Sequence, residues 1–220
     1  MKINKTIFLT ALCCFLLTTI AVSAQEKPIS LAVYLAAIRT AETLKLKSSR
    51  REETMNESFS GGKLKTTKTI VEEIIIPGNQ RLVSIEKMGE TIKRLELIQI
   101  GKVFFRREDD GKWKKVREWM GGKPFRTIPG NAESTYSFEE TKLNGAPVKV
   151  FHWLSTYRGF NSSENEPLIY YKSSFWVGKD GKLLREETAI EFVETKEQTF
   201  LETIVYQYNP KVKIEAPKIN

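Results

Sequence analysis

The chain has 220 residues, a formal net charge of +8 and two cysteines, Cys13 and Cys14, both inside its first 24 residues. If that segment is removed, disulfides, thiol nucleophiles and thiolate metal sites are all excluded, and about 196 residues are left to hold together through one apolar core. The remaining charge, 33 basic against 27 acidic residues, suits an anionic membrane face or an acidic partner. For an exported chain it does not point to nucleic acid.

The first 24 residues read as a secretory signal. Lys2 and Lys5 precede an apolar run from Ile7 to Val22, which ends in Val22-Ser23-Ala24. The run is shorter than the roughly 20 residues of a membrane span and is interrupted by Thr10, Thr18 and Thr19. Cleavage is expected near Ala24-Gln25, giving a periplasmic or secreted protein with one domain over residues 25–220. Leu12 before Cys13 argues against a lipoprotein signal.

An amphipathic helix of about four turns follows. Ser30 is its expected N-cap, Ile29 and Tyr34 form a hydrophobic staple across it, and Leu31, Tyr34, Leu35, Ile38 and Leu44 fall on one stripe. From residue 48 the pattern becomes extended. Gly61-Gly62, Pro77-Gly78, Gly101-Lys102, Asp110-Gly111, Asn144-Gly145 and Asp180-Gly181 punctuate runs rich in β-branched and aromatic residues. Ten or eleven strands are predicted, joined as sequential hairpins. Many carry apolar residues on both faces, as in Val148–Tyr157 and Thr199–Tyr208. A flat sheet with one covered face would alternate more cleanly. The expected fold is therefore mainly β (α+β): a strongly curved antiparallel sheet forming an unclosed β-barrel, with the helix and a loop on its concave side. Residues 117–137, rich in Gly, Pro and apolar side chains without a period, are read as that covering loop.

No residue pattern announces catalysis. The single histidine, His152, stands mid-strand between Phe151 and Trp153, and no local motif supplies a nucleophile or an orienting partner. The three aspartates, Asp109, Asp110 and Asp180, all fall in turns, where their side chains bond local backbone. Calcium would need further spaced oxygen ligands, and zinc several His, Cys or carboxylate ligands. The many glutamates read as strand charges that discourage edge pairing; a glutamate hydrolase would require two of them close together in one cleft. The sequence therefore predicts no enzyme, no metal and no cofactor.

The closing stretch, Tyr206-Gln207-Tyr208-Asn209-Pro210-Lys211-Val212-Lys213-Ile214-Glu215-Ala216-Pro217, completes an order of signal, helix and long meander. Earlier come Leu97-Ile98-Gln99-Ile100-Gly101-Lys102-Val103-Phe104 and Asp110-Gly111-Lys112-Trp113. In this order and these segments the chain resembles the LolA/LolB and mycobacterial LppX/LprG superfamily of periplasmic lipid and lipoprotein carriers, and uncharacterised outer-membrane lipoprotein-sorting-like proteins. The resemblance implies an unclosed barrel whose concave face, plugged by helices, binds acyl chains. This chain departs from it in showing one helix where the carriers have several, and its matching motifs are structural, so no binding residue is carried over from the family.

The residues themselves nominate a lining: Tyr34, Leu35 and Ile38 from the helix; Trp119, Phe125 and Ile128 from the covering loop; and Leu97, Phe151, Trp153 and Trp176 from strands. A register error of one residue would move a whole strand set to the other face. The expected function is reversible burial of lipid or lipoprotein acyl chains by a monomeric carrier or chaperone, in exchange with envelope membrane proteins. The alternative is an envelope protein-binding module with a packed interior in place of a cavity.

Overall fold

The structure is a computed structural model that describes residues 25–117, 133–158 and 168–219. Residues 1–24 and 118–132, with Trp119, Phe125 and Ile128, lie outside the described residues, and the last five residues of the stretch expected as a covering loop, 133–137, belong to a strand instead.

Among the described residues one helix, α1 (Leu31–Leu46), stands against a single antiparallel sheet. Its strands are β1 (Lys27–Pro28), β2 (Arg50–Ser60), β3 (Lys63–Ile75), β4 (Asn79–Met88), β5 (Thr91–Ile100), β6 (Val103–Glu108) and β7 (Lys114–Val116). They continue as β8 (Glu133–Leu143), β9 (Ala146–Arg158), β10 (Leu168–Gly178), β11 (Leu183–Phe192) and β12 (Gln198–Tyr208). The order across the sheet is β1-β8-β9-β10-β11-β12-β2-β3-β4-β5-β6-β7, and it does not close into a barrel. Twelve strands stand where ten or eleven were predicted, because β1 and β7, two and three residues long, are too short to show a period.

The hairpins are not one continuous meander. β2–β7 form one run and β8–β12 another, joined where β12 pairs with β2 from Phe200↔Ser58 to Tyr208↔Arg50. β8 pairs with β9 and β1, not with its sequence neighbour β7. The long β12–β2 seam offers many more ladder bonds than a three-residue edge strand can. Turn chemistry follows the sequence at Asn144-Gly145, where both residues have positive φ (51° and 82°), as a two-residue hairpin requires. At Asp109-Asp110-Gly111 the positive φ falls on Asp109 instead (46°), whose carboxylate accepts from the Arg94 amide at 2.8 Å.

Helix α1 begins where expected. Ser30 is extended and its hydroxyl accepts from the Val33 amide at 3.3 Å. The helix lies on the sheet face formed by Tyr136 and Phe138 of β8, Phe151 and Trp153 of β9, Phe175 and Val177 of β10, and Ile204 and Tyr206 of β12. Tyr34 and Ala41 are its buried residues. Leu31, assigned to the stripe by spacing, is 47% exposed, whereas Ala41, which the stripe omits, is 1% exposed. A methyl group lets the helix backbone approach the sheet closely where a leucine would hold it off.

Candidate functional site

Beside α1 the sheet and helix leave a half-enclosed hollow of about 580 Å³. Ala36, Ala37 and Thr40 form its helical wall. Pro147, Val148 and Phe151 of β9 and Val177 of β10 form its floor, and Glu140, Lys149 and Lys179 line it as well, the first two 3.7 Å apart. The small helical side chains create the space, since each leaves a gap that a leucine at the same position would fill. The lining is mostly apolar, so water inside it finds few partners.

Continuous with this floor is a pile of aromatic rings under the helix. Tyr34 meets Tyr136 at 5.0 Å between centroids and Phe175 edge-on at 6.2 Å. Phe138 stacks on Phe151 at 6.1 Å, and Trp153 stacks on Tyr136 at 6.4 Å and tilts against Tyr171 at 5.3 Å. Such offset and edge contacts match the ring quadrupoles. The Trp153 indole nitrogen is buried and has no hydrogen-bond partner among the described residues.

The structure gathers Tyr34, Leu35, Ile38, Phe151 and Trp153 in one cluster, and Phe151 reaches the hollow itself. Leu97 is buried but lies on β5, opposite Leu82 of β4 and apart from that cluster. Trp176 takes the other sheet face. Register alternation separates it from Phe175, and the Arg185 guanidinium covers its ring at 5.0 Å. The sequence reading put Trp176 with Phe151 and Trp153 because aromatic content was its only guide to facing. It missed Ala36, Ala37, Thr40 and Val177, although a run of small residues on the flank of an otherwise bulky apolar helix is a legible sign of space beside it.

At the C-terminal end of α1 lies a buried polar cluster. The Arg50 Nε donates to Glu52 at 2.7 Å, and its Nη1 donates to the Lys45 and Ser48 carbonyls at 2.8 and 3.3 Å. The Tyr206 hydroxyl donates to Glu186, and the Tyr208 hydroxyl to the Leu183 carbonyl at 2.9 Å. Burial, with Glu186 and Glu52 nearby, pushes the Tyr206 phenol far above its ordinary range. This cluster fixes the helix end against β2, β11 and β12, and so sets the height of the hollow's helical wall.

His152 has cross-strand partners that no local motif revealed. Its Nδ1 meets the Ser174 hydroxyl at 2.9 Å, and Nε2 stands 3.7 Å from the Glu139 carboxylate. His152 and Ser174 border a second, more polar pocket of about 230 Å³ that includes Ser137 and Lys172. A serine nucleophile also requires donors aimed at the developing oxyanion. Ser174 sits mid-strand, paired with His152 on one side and Glu187 on the other, where the backbone amides serve the ladder.

No family model matches the sequence, and no curated protein matches it. Several solved structures are similar to it at low identity. Lipoprotein LppX from Mycobacterium tuberculosis is 10% identical, with 84% of this chain and 100% of that one covered and a TM-score of 0.49. LprF from Mycobacterium bovis is 9% identical, covering 87% and 99%, with a TM-score of 0.46. A LolA superfamily protein from Nitrosomonas europaea is 7% identical, covering 79% and 91%, with a TM-score of 0.31.

Proposed function

We propose that this protein is a carrier or chaperone of the cell envelope that holds acyl chains of lipid or lipoprotein in the hollow beside α1, without covalent chemistry. The observation that carries this reading is the hollow itself. Its volume falls within the roughly 300–1,000 Å³ of small-molecule sites, and Ala36, Ala37, Pro147, Val148, Phe151 and Val177 give it a mostly apolar lining that also includes Glu140, Lys149 and Lys179. Apolar walls suit a ligand recognised by burial, in which each methylene removed from water contributes about 0.8 kcal/mol. Lys149 and Lys179 in this lining suit an anionic head group left in solvent. On this reading residues 1–24 direct export and are removed.

Native mass spectrometry of the protein purified without detergent, followed by solvent extraction, tests the proposal. A co-purifying mass that extracts as phospholipid or acylated peptide is expected, and its fragments identify the cargo. A clean apo mass that stays apo after incubation with lipid vesicles would overturn the carrier reading and favour a protein-binding module.

A further inference from the structure

The hollow opens at the end of the sheet that holds the β8–β9 and β10–β11 turns; the opposite end carries a different surface. There the β2–β3 and β4–β5 turns lie side by side, because Ser58, Thr66, Met88 and Thr91 stand in one row across four neighbouring strands. Three large apolar side chains project from these two hairpins: Leu64 (51% exposed), Met88 (58%) and Ile92 (63%). Each has an exposed lysine as sequence neighbour. Lys63 and Lys65 flank Leu64, Lys87 precedes Met88, and Lys93 follows Ile92. None of these four lysines is ion-paired with a described residue. The acids around the row are Glu57 beside Ser58, Glu86 and Glu90 on the second hairpin, and Glu197, which accepts from the Gly62 amide at 3.0 Å.

This half of the sheet also holds the protein's charge asymmetry. Residues 63–117, spanning β3–β7, contain 14 Lys and Arg against 8 Asp and Glu, a net +6 out of +8 for the whole chain. Exposed aliphatic tips flanked by lysines are a poor arrangement for water alone, because the apolar area is unfavourably hydrated. At a bilayer the same arrangement is favourable. Aliphatic side chains enter the boundary between head groups and acyl chains, while lysine stems run alongside them and place their ammonium groups among the phosphates.

We propose that the β2–β3 and β4–β5 tips dock on an anionic phospholipid surface, with Leu64, Met88 and Ile92 inserted and Lys63, Lys65, Lys87 and Lys93 at head-group depth. Docking at this end leaves the hollow at the far end of the sheet uncovered, and it does not depend on whether the hollow holds cargo.

Co-sedimentation with extruded vesicles tests this, comparing pure phosphatidylcholine with a mixture holding about one-third phosphatidylglycerol, a lipid that supplies the negative surface potential. The purified chain should pellet with the mixed vesicles and far less with the neutral ones. Met88→Ser combined with Ile92→Ser should weaken partitioning about tenfold or more, and Lys63→Gln with Lys65→Gln about fivefold per lysine removed. All four positions are exposed, and unchanged far-UV circular dichroism would show that the variants fold. Ala37→Trp, which fills the hollow, should pellet as the parent does, so loss of cargo and loss of docking are separable. A parent protein that stays in the supernatant with both vesicle types would overturn the proposal and assign the tips to a protein partner. So would apolar and lysine variants that bind as tightly as the parent.

Discussion

The Arg50 guanidinium joins the Glu52 carboxylate, 2.7 Å away on its own strand, to the carbonyls that end α1. Both side chains are under 10% exposed. A cation at a helix C-terminus meets the negative end of the helix dipole, and here it also donates to the Lys45 carbonyl in the last turn, which accepts from the Ser48 amide as well. Arg50→Ala should therefore destabilise the fold by about 3–5 kcal/mol, the cost of breaking a buried pair by removing one partner. Arg50→Met combined with Glu52→Leu should cost clearly less, because no buried charge is then left behind. Urea unfolding of both variants measures this. Equal losses would mean that the pair acts through shape alone.

Ala37 forms part of the hollow's helical wall, so the Ala37→Trp side chain should occupy the space proposed for an acyl chain. Co-purifying lipid should fall to a trace, while the urea midpoint moves little, because the indole enters existing space and does not overpack a filled core. Leu35→Ala is the control. Leu35 packs on the core cluster and does not line the hollow, so stability should fall by about 2–4 kcal/mol with lipid still bound in the folded fraction. Lipid loading measured after extraction decides between them, and an Ala37→Trp protein with full cargo would remove the hollow from the binding site.

The helix and its Ser30 cap were legible because capping and 3.6-residue periodicity are local properties of the chain. The open sheet followed from turn residues and from strands apolar on both faces, since those patterns need no knowledge of partners. Facing was less legible. Phe175 and Trp176 are adjacent aromatics, and only the register to Phe151 and Val150 shows which points towards α1. The hollow itself was hidden because sequence reading rewards bulk. Tyr34, Leu35 and Ile38 announce a core, while the cavity arises from Ala36, Ala37 and Thr40, whose signal is missing volume. Ser174 and Glu139 reach His152 from 22 and 13 positions away, through pairing that no local motif encodes.

On the other sheet face, Glu96 is only 2% exposed and lies among Arg81, Arg94 and Arg107. Burial pushes its carboxyl up, but the hydrogen bond from Arg107 and the charges of all three arginines outweigh that and hold it below its ordinary 4.5. The folded state thus binds this proton less readily than the unfolded chain does. The stabilisation is fully present above about 4.5 and is lost as pH falls through the depressed native value. Glu96→Gln should be less stable than the parent near neutrality, and the difference should shrink on acidification to about pH 3. Urea midpoints across that range test it. A difference constant with pH would mean that the arginine ring does not depend on the carboxylate charge.

The phenols under the helix end respond at the opposite extreme. Burial and the carboxylates of Glu52, Glu42 and Asp180 push Tyr208 up to about 12, against the opposing charge of Arg50. Its hydroxyl can donate to the Leu183 carbonyl only while protonated. In the unfolded chain the same phenol ionises near its ordinary 10.0. A raised native value means that its contribution is fully present below pH 10 and is lost as pH rises towards 12, because the unfolded state then releases the proton first. Tyr206, raised further by burial and by Glu186, acts in the same direction. Tyrosinate absorbance should therefore rise in two stages: exposed phenols first, and a late fraction together with unfolding. Tyr208→Phe should cost about 1 kcal/mol at neutral pH for the lost hydrogen bond, and its stability should fall less steeply in alkali. If all the phenols of the parent ionise together near pH 10 with the sheet still intact, the cluster at the end of α1 is open to water and cannot set the height of the hollow's wall.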